Sequence, residues 1–174
     1  MYQTGDLIVY GSVGVCRVEE LKKLDSEYAD NQKNYYVLKP LYGNCMVYSP
    51  EDNTRIYIRP VITRENAEQL IDMIPMIQTD VYHSRVLREL TEHYEAIIDK
   101  YSCGELIELT MSIYAKKKLA EDRGNKLGAI DSKFMKQAEA LLFGELAVAL
   151  DMPKAEVPVY IEERVSGRRL RKAI

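Results

Sequence analysis

The sequence predicts an α+β protein, a small antiparallel β barrel over residues 1–62 followed by an all-α helical bundle. Three observations predict it. Apolar residues first recur with a period of two, in short runs separated by Gly, Pro, Asn and Asp. From Val61 onward the apolar period lengthens to 3.6, the signature of amphipathic helices. The opening stretch Gly5–Val18 is apolar on both faces, and a hairpin of that kind has to be rolled up or covered.

In that hairpin Leu7 and Val9 point one way and Ile8 and Tyr10 the other, with Gly11 and Gly14 bracketing the reversal, where a positive φ suits glycine. A polar loop from Lys22 to Lys33 follows. Tyr35–Lys39 is rich in β-formers and ends at Pro40. Gly43-Asn44 turns the chain into Cys45–Tyr48, which Ser49-Pro50 stops. Glu51–Asn53 turns it again into Thr54–Ile58, with Pro60 beyond. Five short strands with such punctuation predict a bent antiparallel barrel. Eight of the 13 tyrosines lie here. They are expected to fill a small core, with an aromatic cage for a methylated lysine as the sharper alternative.

Thr63 caps the first helix, whose apolar face is Ala67, Leu70, Ile71 and Ile74, and Pro75 stops it. Thr79 or Asp80 opens a long helix with Val86, Leu87, Leu90, Tyr94, Ile97, Ile98 and Tyr101 on one face. Ser102-Cys103-Gly104-Glu105 has the pattern of a capping box. The helix it opens buries Leu106, Leu109, Ile113 and Tyr114 and leaves through Lys116–Lys118 into the loop Asp122–Asn125. Asp131 opens a fourth long helix with Phe134, Met135, Ala138, Leu141, Leu142, Leu146 and Ala149 on its core face. A last segment to Val165 contains Pro158, so it is a broken helix or a short one. The organisation expected is therefore 1–62, 63–165, and a flexible basic tail over 166–174.

Composition bounds the function. The apolar fraction is 47% and the charged fraction 29%, ordinary for a globular protein. The net charge of −3 divides as −1 over residues 1–62, −7 over 63–163 and +5 over 164–174. The chain as a whole is thus no basic nucleic-acid binder. The N-terminus lacks the pattern of a secretory signal, and no apolar run approaches a membrane span. Cys16, Cys45 and Cys103 are odd in number and far apart, as expected of reduced, small buried thiols in the cytoplasm.

Catalytic signals are weak. His83 and His93 stand 10 residues apart, about 15 Å along a helix, too far to share a metal. Cysteine pairs with zinc spacing, a phosphate-binding loop, a dinucleotide fingerprint and a nucleophile elbow are all missing. We therefore expect no enzyme, no cofactor and no small-molecule substrate. Residues 116–136 gather Lys116, Lys117, Lys118, Arg123, Lys126, Lys133 and Lys136 against three acids, a local balance of +4. This is either a ridge for a phosphate backbone or a solvated charged surface.

Gly5-Asp6-Leu7-Ile8-Val9-Tyr10 followed by Gly11-Ser12-Val13-Gly14-Val15 resembles the opening of the CarD/CdnL family. Tyr36–Lys39 and Val47–Pro50 resemble its later strands, and Gly144-Glu145-Leu146-Ala147 with Ala138 its last-helix motif. The likeness covers about residues 1–150. The resemblance implies a Tudor-like N-terminal domain that binds the RNA polymerase β subunit by β-augmentation. It also implies a helical domain that touches promoter DNA at the upstream edge of the bubble and affects open-complex stability. The polymerase contact would fall on Cys45–Ser49, with Met46 and Tyr48 as the main candidates and Lys23 as a weaker one.

In members of that family a tryptophan wedges into the minor groove. This chain has none, and the matching position is Leu90, beside Glu92, His93 and Glu95 where the family pattern is basic. DNA contact would then rest on Leu90, Arg85, Arg88, Lys117, Lys118, Arg123 and Lys126. The leading expectation is a cytoplasmic transcription regulator that binds polymerase and makes sequence-independent contact with promoter DNA. The alternative is an adaptor that binds polymerase, or another protein, without touching DNA.

Overall fold

The computed structural model describes residues 1–25, 27 and 29–172, with backbone alone from residue 168 onward. The chain divides into two compact units between Val61 and Ile62. The first is one five-stranded antiparallel sheet in the order β4-β3-β2-β1-β5, built from β1 (Leu7–Tyr10), β2 (Gly14–Lys23), β3 (Asn34–Pro40), β4 (Val47–Pro50) and β5 (Ile58–Pro60). This is the antiparallel layer of the predicted α+β fold.

A one-turn 3-10 segment, Gly11–Val13, joins β1 to β2, and Gly11 and Gly14 at its ends have φ of +44° and +87°. A Cβ at either would be strained, which is why glycine occupies both. Both faces of the sheet are apolar, as the hairpin required. Ile8, Tyr10, Cys16, Val18, Tyr36 and Leu38 form a buried cluster, while Val9, Val15 and Val37 are buried on the opposite side. The register slips between Val18 and Glu20, so Glu19 is the extra residue of a bulge, and β2 runs on to Lys23 through residues expected in a loop.

The tyrosines divide. Tyr10 and Tyr36 are buried in the core, and Tyr2 packs edge-on to Tyr36 at 6.1 Å. Tyr42, Tyr48 and Tyr57 are about half exposed, the first and last lying just outside β3 and β5. Cys45 is also exposed, so only Cys16 and Cys103 are the buried thiols expected.

The second unit holds α1 (Arg64–Met73), α2 (Leu87–Ile98), α3 (Cys103–Asp122), α4 (Ala129–Leu150) and α5 (Val157–Lys172). Thr63 caps α1, its hydroxyl accepting from the Asn66 amide at 3.2 Å. The α2 helix starts at Leu87, not at Thr79 or Asp80. Residues 78–86 stay extended or bent because α3 supplies partners for their carbonyls. Ser112 Oγ donates to the Asp80 carbonyl at 2.8 Å and Lys116 Nζ to the Tyr82 carbonyl at 3.2 Å. Ser84 then turns the chain, accepting from the Val86 amide and donating to Glu89.

Ser102 precedes α3 without a side-chain cap bond, and Glu105 pairs instead with Lys100 at 2.9 Å, so the capping box is not formed. Lys116–Lys118 lie inside α3, which continues to Asp122, and Tyr114 is half exposed rather than buried. In α4, Phe134, Ala138, Leu142, Leu146 and Leu150 form the buried stripe of the helical core. Pro158 sits at the second position of α5, where its missing N–H is harmless. The segment 166–172, expected as a flexible tail, continues α5, while residues 173–174 lie outside the described residues. No helix among the described residues is long and apolar enough to cross a membrane.

Candidate functional site

A sheet with two open edges offers two places for another strand to add. The β5 edge is three residues long, and Pro60 removes one of its donors. The β4 edge is the better template: it pairs with β3 over Tyr35↔Pro50, Tyr36↔Ser49, Val37↔Tyr48 and Leu38↔Val47, and among the described residues no strand pairs with its outer side. Directly opposed residues share a face, so the register places Tyr48, Val37 and Glu20 in one row across three strands. Lys22, opposite Tyr35, belongs to the same face and bonds to Glu20 at 2.9 Å. That hydrogen bond raises the Lys22 pKa, with a smaller contribution from Tyr48.

Tyr48 is 50% exposed and Met46, just before β4, is 40% exposed. Ser49, between them and the following turn, is buried and anchors the strand. Two of the three expected contact residues are thus brought together. Lys23 is exposed too, but alternation turns it to the other face of β2, opposite Asn34. Lys22 is the cation on the Tyr48 face. The signal that would have found it is the bulge at Glu19, invisible in composition, which resets the alternation of β2.

In the helical unit Leu90 is 4% exposed and belongs to the core with Tyr94 and Ile98, so it has no surface to present to a groove. The exposed apolar residues of this region are Val86 and Leu87, the latter 65% exposed, flanked by exposed Arg85 and Arg88. Sequence periodicity put Val86, Leu87 and Leu90 on one apolar face, of which only Leu90 is buried. Arg88 is drawn to Glu92 at 2.7 Å across one turn. Lys117, Lys118, Arg123 and Lys126 are all exposed along the C-terminal half of α3 and the loop after it. Lys117 approaches Glu121 at 4.0 Å and Lys118 lies 5.8 Å from the Tyr114 ring. The Lys116 bond to the Tyr82 carbonyl ties the approach to Arg85 alongside this half of α3.

Lys116 itself is removed from the basic ridge. It is largely buried and pairs with buried Asp131 at 2.8 Å, and Tyr94 donates to the same carboxylate oxygen at 2.6 Å. Burial, then this bond, hold the Tyr94 hydroxyl well above the usual phenol range. His93 stacks on Tyr82 at 3.8 Å, and burial beside Lys116 lowers its pKa. His83 stands apart and exposed. Among the described residues no group of His, Cys, Asp and Glu could hold a metal.

Residues 2–62 match the family model of the CarD-like/TRCF RID domain. No curated protein matches the sequence. The matched range ends where the sheet unit ends, and it contains both open edges and the Tyr48 face. Over residues 2–62, the range of the sheet unit, the chain is therefore similar to the CarD-like/TRCF RID domain.

Proposed function

We propose that the chain is a non-enzymatic transcription regulator that binds the RNA polymerase β subunit by adding a strand to the β4 edge. The observation that carries this reading is an unpaired edge strand, in a domain of the polymerase-interacting family, with half-exposed Tyr48 beside it. Main-chain hydrogen bonds along β4 would supply register, and Tyr48, Met46 and Lys22 would supply side-chain contact. Full-length protein should capture a purified β-lobe domain. Replacing Tyr48 with Ala should weaken capture about tenfold with the sheet intact. Undiminished capture would remove Tyr48 from the interface.

The helical unit would then act on the open promoter complex through sequence-independent DNA contact. Leu87, not Leu90, is the apolar residue available for a groove, with Arg85 and Arg88 on either side and Lys117, Lys118, Arg123 and Lys126 as phosphate partners. Charge reversal at Lys117, Lys118 and Lys126 should flatten the salt dependence of promoter-complex binding. The adaptor reading is favoured by two observations: residues 63–163 carry −7, and Arg88 is already paired with Glu92. Footprinting polymerase on a promoter with and without the protein separates the two, since an adaptor leaves the DNA footprint unchanged.

A further inference from the structure

The helical unit carries an apolar groove whose lining includes none of the residues assigned above to polymerase or promoter contact. Its walls come from three helices, with Ile74 from the turn after α1 beside them. On α3 they are Ile107, Thr110, Met111 and Tyr114; on α4 Met135, Glu139 and Leu142; on α5 Pro158, Ile161 and Val165. Each wall spans seven residues at i, i+3 or i+4, and i+7, which is two helical turns, about 11 Å. The cavity volume is about 350 Å³, open on one side. The Thr110 hydroxyl in the α3 wall is satisfied within its own helix, Oγ1 donating to the Ile107 carbonyl at 2.9 Å.

Charge limits what can cover this groove. Glu139 and Glu162 stand on its rim, and neither makes an ion pair or side-chain hydrogen bond among the described residues. Glu139 is half-buried, and burial pushes its carboxyl up despite the nearby charge of Lys117. Lys117 approaches Glu121 instead, and Lys118 sits against the Tyr114 ring. The two carboxylates would repel a phosphate backbone. An occupant with an apolar ridge two turns long and a cation beside it would fill the cavity and pair them.

We propose that this groove docks an amphipathic helix of a partner protein, one with apolar residues at i, i+3 or i+4, and i+7 flanked by Lys or Arg. This is helix-in-groove recognition, with Tyr114 and the two methionines as adaptable walls and the rim carboxylates setting the sign of the partner's charge.

Two synthetic helical peptides of about four turns test it, both with Leu on the stripe, one flanked by Lys and Arg and the other by Glu. Binding to the full chain is read by fluorescence anisotropy. The basic peptide should bind at least about tenfold more tightly than the acidic one. The double variant Glu139→Gln with Glu162→Gln should abolish that difference. Thr110→Trp, which fills the groove, should weaken the basic peptide, with far-UV circular dichroism confirming that the helices persist. Equal binding of the two peptides, no binding of either, or binding indifferent to all these changes would overturn the proposal. A concentration-dependent dimer of the chain, lost in the Thr110→Trp variant and competed by the peptide, would overturn it in favour of a second copy as occupant.

Discussion

Replacing Asp131 with Asn tests how the helical unit is locked. Asp131 is 4% exposed, and one of its oxygens receives both Lys116 Nζ at 2.8 Å and the Tyr94 hydroxyl at 2.6 Å. Lys116 has 14% of its side chain exposed and keeps only the Tyr82 carbonyl, at 3.2 Å, as a partner when the carboxylate is lost. Losing one partner of a buried pair leaves an uncompensated charge, which costs about 3 kcal/mol. For a protein of this size that lowers Tm by on the order of 10 °C. Differential scanning calorimetry measures it directly. Adding Lys116→Met removes the stranded cation, and the double variant should recover most of the loss, a coupling of at least about 1.5 kcal/mol. A loss below about 1 kcal/mol in the single variant, or strict additivity in the double, would refute the claim that this pair is an isolated buried unit.

Other outcomes follow from the same geometry. Leu90→Ala should destabilise the helical unit by about 2–5 kcal/mol, whereas Leu87→Ala should change stability by less than about 0.5 kcal/mol while weakening promoter-complex binding; urea unfolding and a filter-binding assay separate them. Burial pushes the Cys16 thiol up to about 11 from its ordinary 9.0. Its folded pKa is the higher one, so its contribution is complete below pH 9 and is lost as pH rises toward 11. The decline, on the order of 2 kcal/mol, should be absent in Cys16→Ala when unfolding is followed against pH. Lys22→Glu should weaken capture of the polymerase β lobe more than Lys23→Glu, and equal effects in a pull-down would place the interface off the Tyr48 face.

The fold was legible where one local signal decided it. The double-faced apolar hairpin called for a covered sheet, and Thr63 and Pro75 marked both ends of α1. What stayed hidden depended on partners distant in sequence. The stretch from Thr79 or Asp80 to Val86 read as helix, yet Ser112 and Lys116 of α3 hold the Asp80 and Tyr82 carbonyls, and Leu87, read as part of the apolar face, lies exposed in the first turn of α2 while Leu90 is buried. Likewise the bulge at Glu19 decides whether Lys22 or Lys23 shares a face with Tyr48, and only the pairing of β2 with β3 reveals it. The edge position of β4 was anticipated from the family likeness rather than from the residues. The Asp131 network escaped altogether, because Lys116 looked like one more cation in a basic run and Asp131 like a helix-opening acid.

Strand addition at β4 makes the most direct demand on experiment. Amide hydrogen exchange of the full chain, with and without a purified RNA polymerase β-lobe domain, reads each edge separately. Amides of residues 45–49 should become protected on binding while those of Ile58 and Arg59 on the β5 edge do not change. Protection confined to the β5 edge, or binding with no new protection along β4, would contradict strand addition there.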